Sequence, residues 1–168
     1  RNYLKSRSLN KDDVKKFKLG YVEKNPIFFN ELKNDFSLEA LENTGLFYFD
    51  EKKKIHVERF RGRLIFPINN ISGQPIALGG RIVEKSDYLA KYINSPETNF
   101  FKKGSNLYNL DSARKFSNKI NNIYLVEGYM DVIGLSKNGV ENSVANLGTS
   151  LTDKQILTLN QFFDDIII

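Results

Sequence analysis

Two carboxylates separated by a short turn are the residues of this sequence best suited to chemistry. Glu127 directly follows the apolar run Ile123-Tyr124-Leu125-Val126, and Asp131 lies four residues further on. If that run is a buried strand of a parallel sheet, both side chains stand beyond its carboxyl end, where open α/β sheets bind ligands. Gly128 between them lets a backbone or a phosphate come close. Such a pair suits Mg²⁺ or Mn²⁺, ions that take oxygen ligands; Mg²⁺ in particular keeps several waters and shares substrate phosphates with the protein. In phosphoryl transfer an ion held there offsets charge on the leaving oxygens. The same two residues could instead serve only to cap a helix and interact with its dipole, and spacing alone favours that plainer role.

The candidate partners are basic. Arg59, Arg61 and Arg63 alternate along the chain, so a strand would present all three on one face, where guanidinium forks hold phosphates bidentately. Arg81, Lys91, Lys102 and Lys103 follow, with Tyr92, Phe100, Phe101 and Tyr108 among them as possible stacking platforms for single-stranded bases. Packing is the commoner fate of aromatics, and one of Phe100 and Phe101 is expected in the core. His56, the single histidine, stands beside Lys52-Lys53-Lys54 and reads as a surface residue. Gly148-Thr149-Ser150 could meet phosphate at the start of the next helix, but the P-loop lysine and glycine spacing are missing.

The elements that must position these groups are legible from periodicity. Asn2 to Lys18 reads as two short amphipathic helices anchored by Tyr3, Leu4, Val14 and Phe17, with Asn10 capping the second. A strand-like Tyr21-Val22 leads to two more helices, over Ile27 to Asn34 and Ser37 to Asn43. After the polar turn Asp50 to Lys54, Leu64 to Ile68 and Gln74 to Leu78 flank a turn and predict a hairpin. A long irregular stretch, Lys85 to Leu110, suggests a functional loop. The last third alternates strand and helix: Ile123 to Val126, helix Asp131 to Asn138, Ser143 to Leu147, a helix opened by the capping box Thr152 to Gln155 with Ile156, Leu159, Phe162 and Phe163 on its apolar face, and a strand from Asp165. That order implies a parallel sheet.

Composition bounds the possibilities. The 168 residues include 13 Phe and 8 Tyr and are 40% hydrophobic, enough for a real core. There is no Cys, which excludes disulfides and thiolate-bound zinc within these residues and fits the cytoplasm. No apolar run approaches the roughly 20 residues of a membrane span. The net charge of +5 is uneven: residues 1–119 carry 23 Lys/Arg against 14 Asp/Glu, a net of +9, while residues 120–168 carry 2 against 6, a net of −4. A basic surface concentrates polyanions and an acidic pocket concentrates divalent cations, a division that suits work on nucleic acid. The chain opens without Met and stops within Ile166-Ile167-Ile168, so both ends read as cuts; an exposed, aggregation-prone edge is expected at the last strand.

The series from Arg59-Phe60-Arg61-Gly62-Arg63 through Ile68, then Gly79-Gly80-Arg81, Lys91 to Thr98, Lys103-Gly104, Leu107-Tyr108, Val126-Glu127-Gly128-Tyr129-Met130-Asp131 and Leu147 to Ser150 resembles the catalytic core of bacterial primases of the DnaG family. The resemblance runs along essentially the whole chain. It implies an α/β protein with a mixed α+β N-terminal subdomain, residues 1–118, followed by the first part of a Toprim parallel-sheet subdomain, residues 119–168. It implies a DNA-templated RNA polymerase that makes short primers from ribonucleoside triphosphates on single-stranded DNA. Glu127 and Asp131 would be the catalytic and metal-binding acids, and Arg81, Lys91, Tyr92, Asn94 and Lys103 would join Arg59, Arg61 and Arg63 along a basic groove. Gly62 stands where an acidic residue is frequent in the family, and Ala90 where Pro often precedes the Lys-Tyr pair. The Asp-x-Asp motif is expected beyond the strand that begins at Asp165. The zinc-binding domain and the helicase-binding tail are likewise expected outside these residues, so the fragment alone should bind Mg²⁺ poorly and make no primers. Competing readings are another Toprim enzyme, such as a topoisomerase, and a catalytically idle single-stranded DNA binding module.

Overall fold

The computed structural model describes residues 2–168 apart from Pro26, Lys85 and Thr149. Two short helices, α1 (Asn2–Ser6) and α2 (Lys11–Lys16), open the chain, and α2 begins with a reciprocal capping box in which Asn10 accepts from Asp13 N–H and Asp13 accepts from Asn10 N–H. Strand β1 (Gly20–Val22) is followed by α3 (Phe28–Leu32) and by α4 (Leu38–Asn43), the latter capped by Ser37. Strands β2 (Phe47–Asp50) and β3 (Ile55–Glu58) form a separate antiparallel hairpin. Strands β4 (Arg63–Asn69), β5 (Pro75–Ile82) and β6 (Tyr92–Asn94) complete an antiparallel sheet in the order β1-β4-β5-β6. Then come α5 (Leu110–Ala113), β7 (Asn122–Val126), α6 (Tyr129–Lys137), β8 (Ser143–Ala145), α7 (Asp153–Leu159) and β9 (Asp165–Ile167). The last three strands are parallel in the order β8-β7-β9, with β9 at an edge and Ile168 exposed.

The layers follow from alternation along the strands. On β4, Leu64, Phe66 and Ile68 point to one side and meet Tyr129, Val132 and Ile133 of α6, with Leu9, Phe17 and Leu19 of the lead-in closing the same core. On β7, Ile123 and Leu125 point the other way from Val126 and enter a second core with Leu107, Leu110, Ala113, Val144, Leu159 and Phe163. Helix α6 is therefore clasped between the two sheets, while α5 and α7 cover the far face of the parallel one. Three upstream residues, Leu107, Leu110 and Ala113, belong to this second core.

Several local expectations need correction. Helix α6 starts at Tyr129 rather than Asp131, because Gly128 takes the extended cap conformation and the Tyr129 ring is drawn into the core. Strand β8 ends at Ala145, two residues early. Phe162 and Phe163 lie past the end of α7, although Phe163 is buried. The hairpin β2–β3 was legible only as its turn. The stretch Lys85 to Leu110 is partly regular: β6 pairs with β5, and Tyr108 exchanges two backbone hydrogen bonds with Ala145, fastening the loop to the parallel sheet.

Candidate active site

The close approach that shapes the site begins in β5. The strand runs unbroken through Gly79 and Gly80, and the two glycines face opposite sides of the sheet. A Cβ on Gly79 would lie 2.8 Å from Tyr129 Cε2 and nearer still to its Cζ and hydroxyl; one on Gly80 would lie 2.5 Å from Phe60 Cδ1. Tyr129 thus enters a slot that only glycine leaves open. Its ring stacks on Phe66 at 4.8 Å and meets Tyr108 edge-on at 4.7 Å, and its hydroxyl donates to Asn94 Oδ1 at 2.6 Å. Burial drives its pKa well above the ordinary tyrosine value.

This docking of α6 against β5 and β6 forms a cleft of about 420 Å³. Glu127, one residue past the end of β7, and Asp131, in the first turn of α6, line it with exposed side chains. Lys91, Tyr92 and Asn94 come from β6 and its approach, and Arg7 comes from beyond α1. Arg7 escaped the sequence reading; its only signal was a positive charge on a helix read as packing. Tyr92 is 37% exposed, and burial raises its pKa while the nearby Arg81 lowers it. Gly148 also reaches the cleft; Thr149 lies outside the described residues.

The other candidates are elsewhere. Arg59, Arg61 and Arg63 do not share one strand face, because β3 ends at Glu58 and a turn carries the chain to β4 at Arg63. Arg59 Nε donates to Gly45 O at 2.9 Å, its guanidinium over Tyr48, and Arg61 is exposed. Arg63 is 5% exposed and donates to Ala90 O at 2.9 Å, with Gly80 O and Lys91 O at 3.4 Å; burial lowers its pKa. Its role in the fold is to hold the segment leading to β6. Arg81 is buried with its guanidinium 4.3 Å from the Tyr3 ring centre and 5.6 Å from that of Tyr92, backing the cleft from a second cavity that Lys91 also lines. Its Nε has no hydrogen-bond partner among the described residues. Lys103 stands apart: its N–H donates to Glu97 Oε1 and its carbonyl accepts from Gln155. Phe101 and Tyr108 are core residues, so neither is a stacking platform, whereas Phe100 is exposed. His56 is stacked on Phe29 at 4.5 Å and paired with Glu42 at 2.9 Å. Among the described residues no three His, Cys, Asp or Glu side chains converge as a metal cage. Glu127 and Asp131 offer the cleft carboxylate oxygens of the kind a hydrated divalent ion takes.

Residues 1–114 match the family described as DNA primase catalytic core, N-terminal domain. The chain belongs to that family. Residues 121–168 match the Toprim domain, in agreement with the parallel sheet. The chain is 40% identical to the DNA primase of Lactococcus lactis over 163 residues, 96% of this chain and 25% of that protein. It superposes on the crystal structure of a DNA primase domain from Pseudomonas aeruginosa with a TM-score of 0.89 and 38% identity, over 98% of this chain and 51% of that one. A DnaG primase catalytic domain bound to single-stranded DNA is similar at TM-score 0.88 and 32% identity, over 99% of this chain and 51% of that one. The chain therefore spans about a quarter of the length of the curated primase it matches and half of the solved catalytic domains.

Proposed function

We propose that this chain is part of a DNA-templated RNA polymerase that makes short RNA primers on single-stranded DNA during replication. The observation that carries the reading is one cleft in which two exposed carboxylates, Glu127 and Asp131, face Lys91 and a half-exposed aromatic, Tyr92. Each side of it suits a different part of the reaction. Lys91 supplies a mobile positive charge for the phosphates of a ribonucleoside triphosphate or the template backbone. Tyr92 offers a face on which a base can stack. Glu127 and Asp131 would hold a divalent ion, Mg²⁺ or Mn²⁺, which when bound would offset charge on the transferred phosphoryl group. The similar DnaG catalytic domain is bound to single-stranded DNA, which supports DNA as the template.

The exposed Arg61 lines a separate hollow with Lys24 and Lys33, a second positive patch that gives DNA a contact independent of sequence. Arg63 and Arg81 act behind the cleft, and Asn94 stands in its wall. Zinc binding and contact with a replicative helicase are assigned in this reading to regions outside these residues; a zinc-binding domain accompanies the RNA polymerase domain in the similar Aquifex aeolicus primase. Among the described residues no helix is long and apolar enough to cross a membrane.

The test is incorporation of labelled ribonucleotides on single-stranded DNA by the full-length protein with Mg²⁺, wild type against Glu127→Gln. Short RNA from the wild type and a loss of about a hundredfold or more in the variant, with DNA affinity kept, upholds the reading. DNA binding without RNA synthesis by the wild type under any metal or template condition replaces it with a binding module.

A further inference from the structure

We propose that the Tyr129 hydroxyl and the Asn94 carboxamide form a positioning bridge that sets the distance between the carboxylates and the Lys91–Tyr92 edge. This rests on the polymerase reading above. Asn94 has both ends of its side chain committed within the protein. Its Oδ1 accepts from Tyr129 at 2.6 Å, at the start of α6, and its Nδ2 donates to Leu147 O at 2.7 Å, just past β8. One side chain from the antiparallel sheet therefore ties down both loops at the carboxyl end of the parallel sheet. Asn94 pairs with Gly79 in β5, and Gly79 is the residue whose missing Cβ admits the Tyr129 ring.

The bridge lies where it matters for geometry. Tyr129 is two residues from Glu127 and two from Asp131, and Asn94 is two residues from Tyr92, so each partner shares a backbone segment with groups on one wall of the cleft. Aromatic packing holds the ring in its slot without strongly preferring one offset along the stack; a short directional hydrogen bond selects one. Carboxylates misplaced by even about 1 Å lose much of their catalytic value. The arrangement gives Asn94 a task within the fold: one N–H and one lone pair of its carboxamide are committed to Leu147 O and the Tyr129 hydroxyl, at the wall of the cleft it lines.

Tyr129→Phe keeps the packing and deletes the hydroxyl, while Asn94→Leu removes both bonds. In the full-length protein, Tyr129→Phe should lower kcat for primer synthesis about threefold to tenfold, the worth of one hydrogen bond. The KM for nucleotide and the Kd for single-stranded DNA should stay within about twofold, which a contact of that worth with either ligand would not allow. Amide hydrogen exchange over Gly128 to Asp131 should quicken. Adding Tyr129→Phe to Asn94→Leu should cost no further kcat, since both act through one bond. Loss of DNA affinity in step with kcat overturns the proposal by making the pair ligands of nucleic acid. Unchanged kcat with a lowered Tm overturns it by reducing the bond to stability. If the wild type makes no RNA, the polymerase reading fails by itself; exchange then decides the bridge, with faster opening at Gly128 to Asp131 upholding it and unchanged opening removing it.

Discussion

The guanidinium of Arg63 donates to the carbonyl of Ala90 at 2.9 Å from a position only 5% exposed to solvent. A residue that charge and spacing assign to a phosphate track is thus a strut beneath the segment that delivers Lys91 and Tyr92. Arg63→Ala should destabilise the protein by about 1–3 kcal/mol, because the carbonyls of Gly80, Ala90 and Lys91 lose a charged donor and a buried side chain is removed. Arg61→Ala should leave the denaturation midpoint within about 0.5 kcal/mol of wild type while weakening DNA binding and flattening its salt dependence. Chemical denaturation and binding titrations at several salt concentrations separate the two; equal effects from both arginines would refute the division.

Gly79→Ala should be costly for a residue so small. The added methyl meets the Tyr129 ring inside contact distance, and the backbone of β5, held by partners on both sides, has little room to yield. An overpacking loss of about 1–3 kcal/mol is expected, with reduced kcat because α6 is pushed from the sheet. Gly73→Ala, at the hairpin tip, has space around its Cβ but a φ of +84°, so its loss should be stability alone.

Alkaline pH should loosen the fold through the buried phenols. Burial raises the pKa of both Tyr108 and Tyr129 above the ordinary value of 10.0, so the folded chain keeps protons that the unfolded chain releases. Their contribution is complete below that value and fades as pH rises beyond it. Urea midpoints measured from about pH 8 to about pH 11 should fall above pH 10, and more gently in Tyr108→Phe, which cannot ionise. An equal slope in that variant would count against the phenols as the cause.

How much was legible divides along a physical line. The parallel sheet, the α7 capping box and the β4–β5 hairpin were readable because each rests on local signals: apolar runs, Thr152 with Gln155, a turn between two strand patterns. Glu127 and Asp131 were readable because their place follows from strand and helix alone. What sequence hid was direction and depth. Alternation put Arg59, Arg61 and Arg63 on one face only if one strand held all three, and the turn between β3 and β4 breaks that condition. Nothing local says that Asn94 spends both its ends inside the protein or that Arg7 turns toward the cleft; both depend on contacts made far along the chain.

Gln155 shows the same hidden depth. It is fully buried, its Oε1 accepts from Thr152 N–H, and its Nε2 donates to Lys103 O and Asn106 O at 3.1 and 2.9 Å. Gln155→Leu should therefore cost about 2–4 kcal/mol, more than the capping box alone, and speed proteolysis near Lys103. Limited trypsin digestion checks it; an unchanged cleavage rate at Lys102 and Lys103 would show that the loop does not depend on this side chain.

The first core takes Phe66 and Ile68 from one sheet and Val132, Ile133, Ala145 and Leu147 from around the other. A helix shared in this way denies the chain a seam. Neither half can come apart without stripping apolar cover from its neighbour, so any opening of the cleft would expose oily surface on both of its walls.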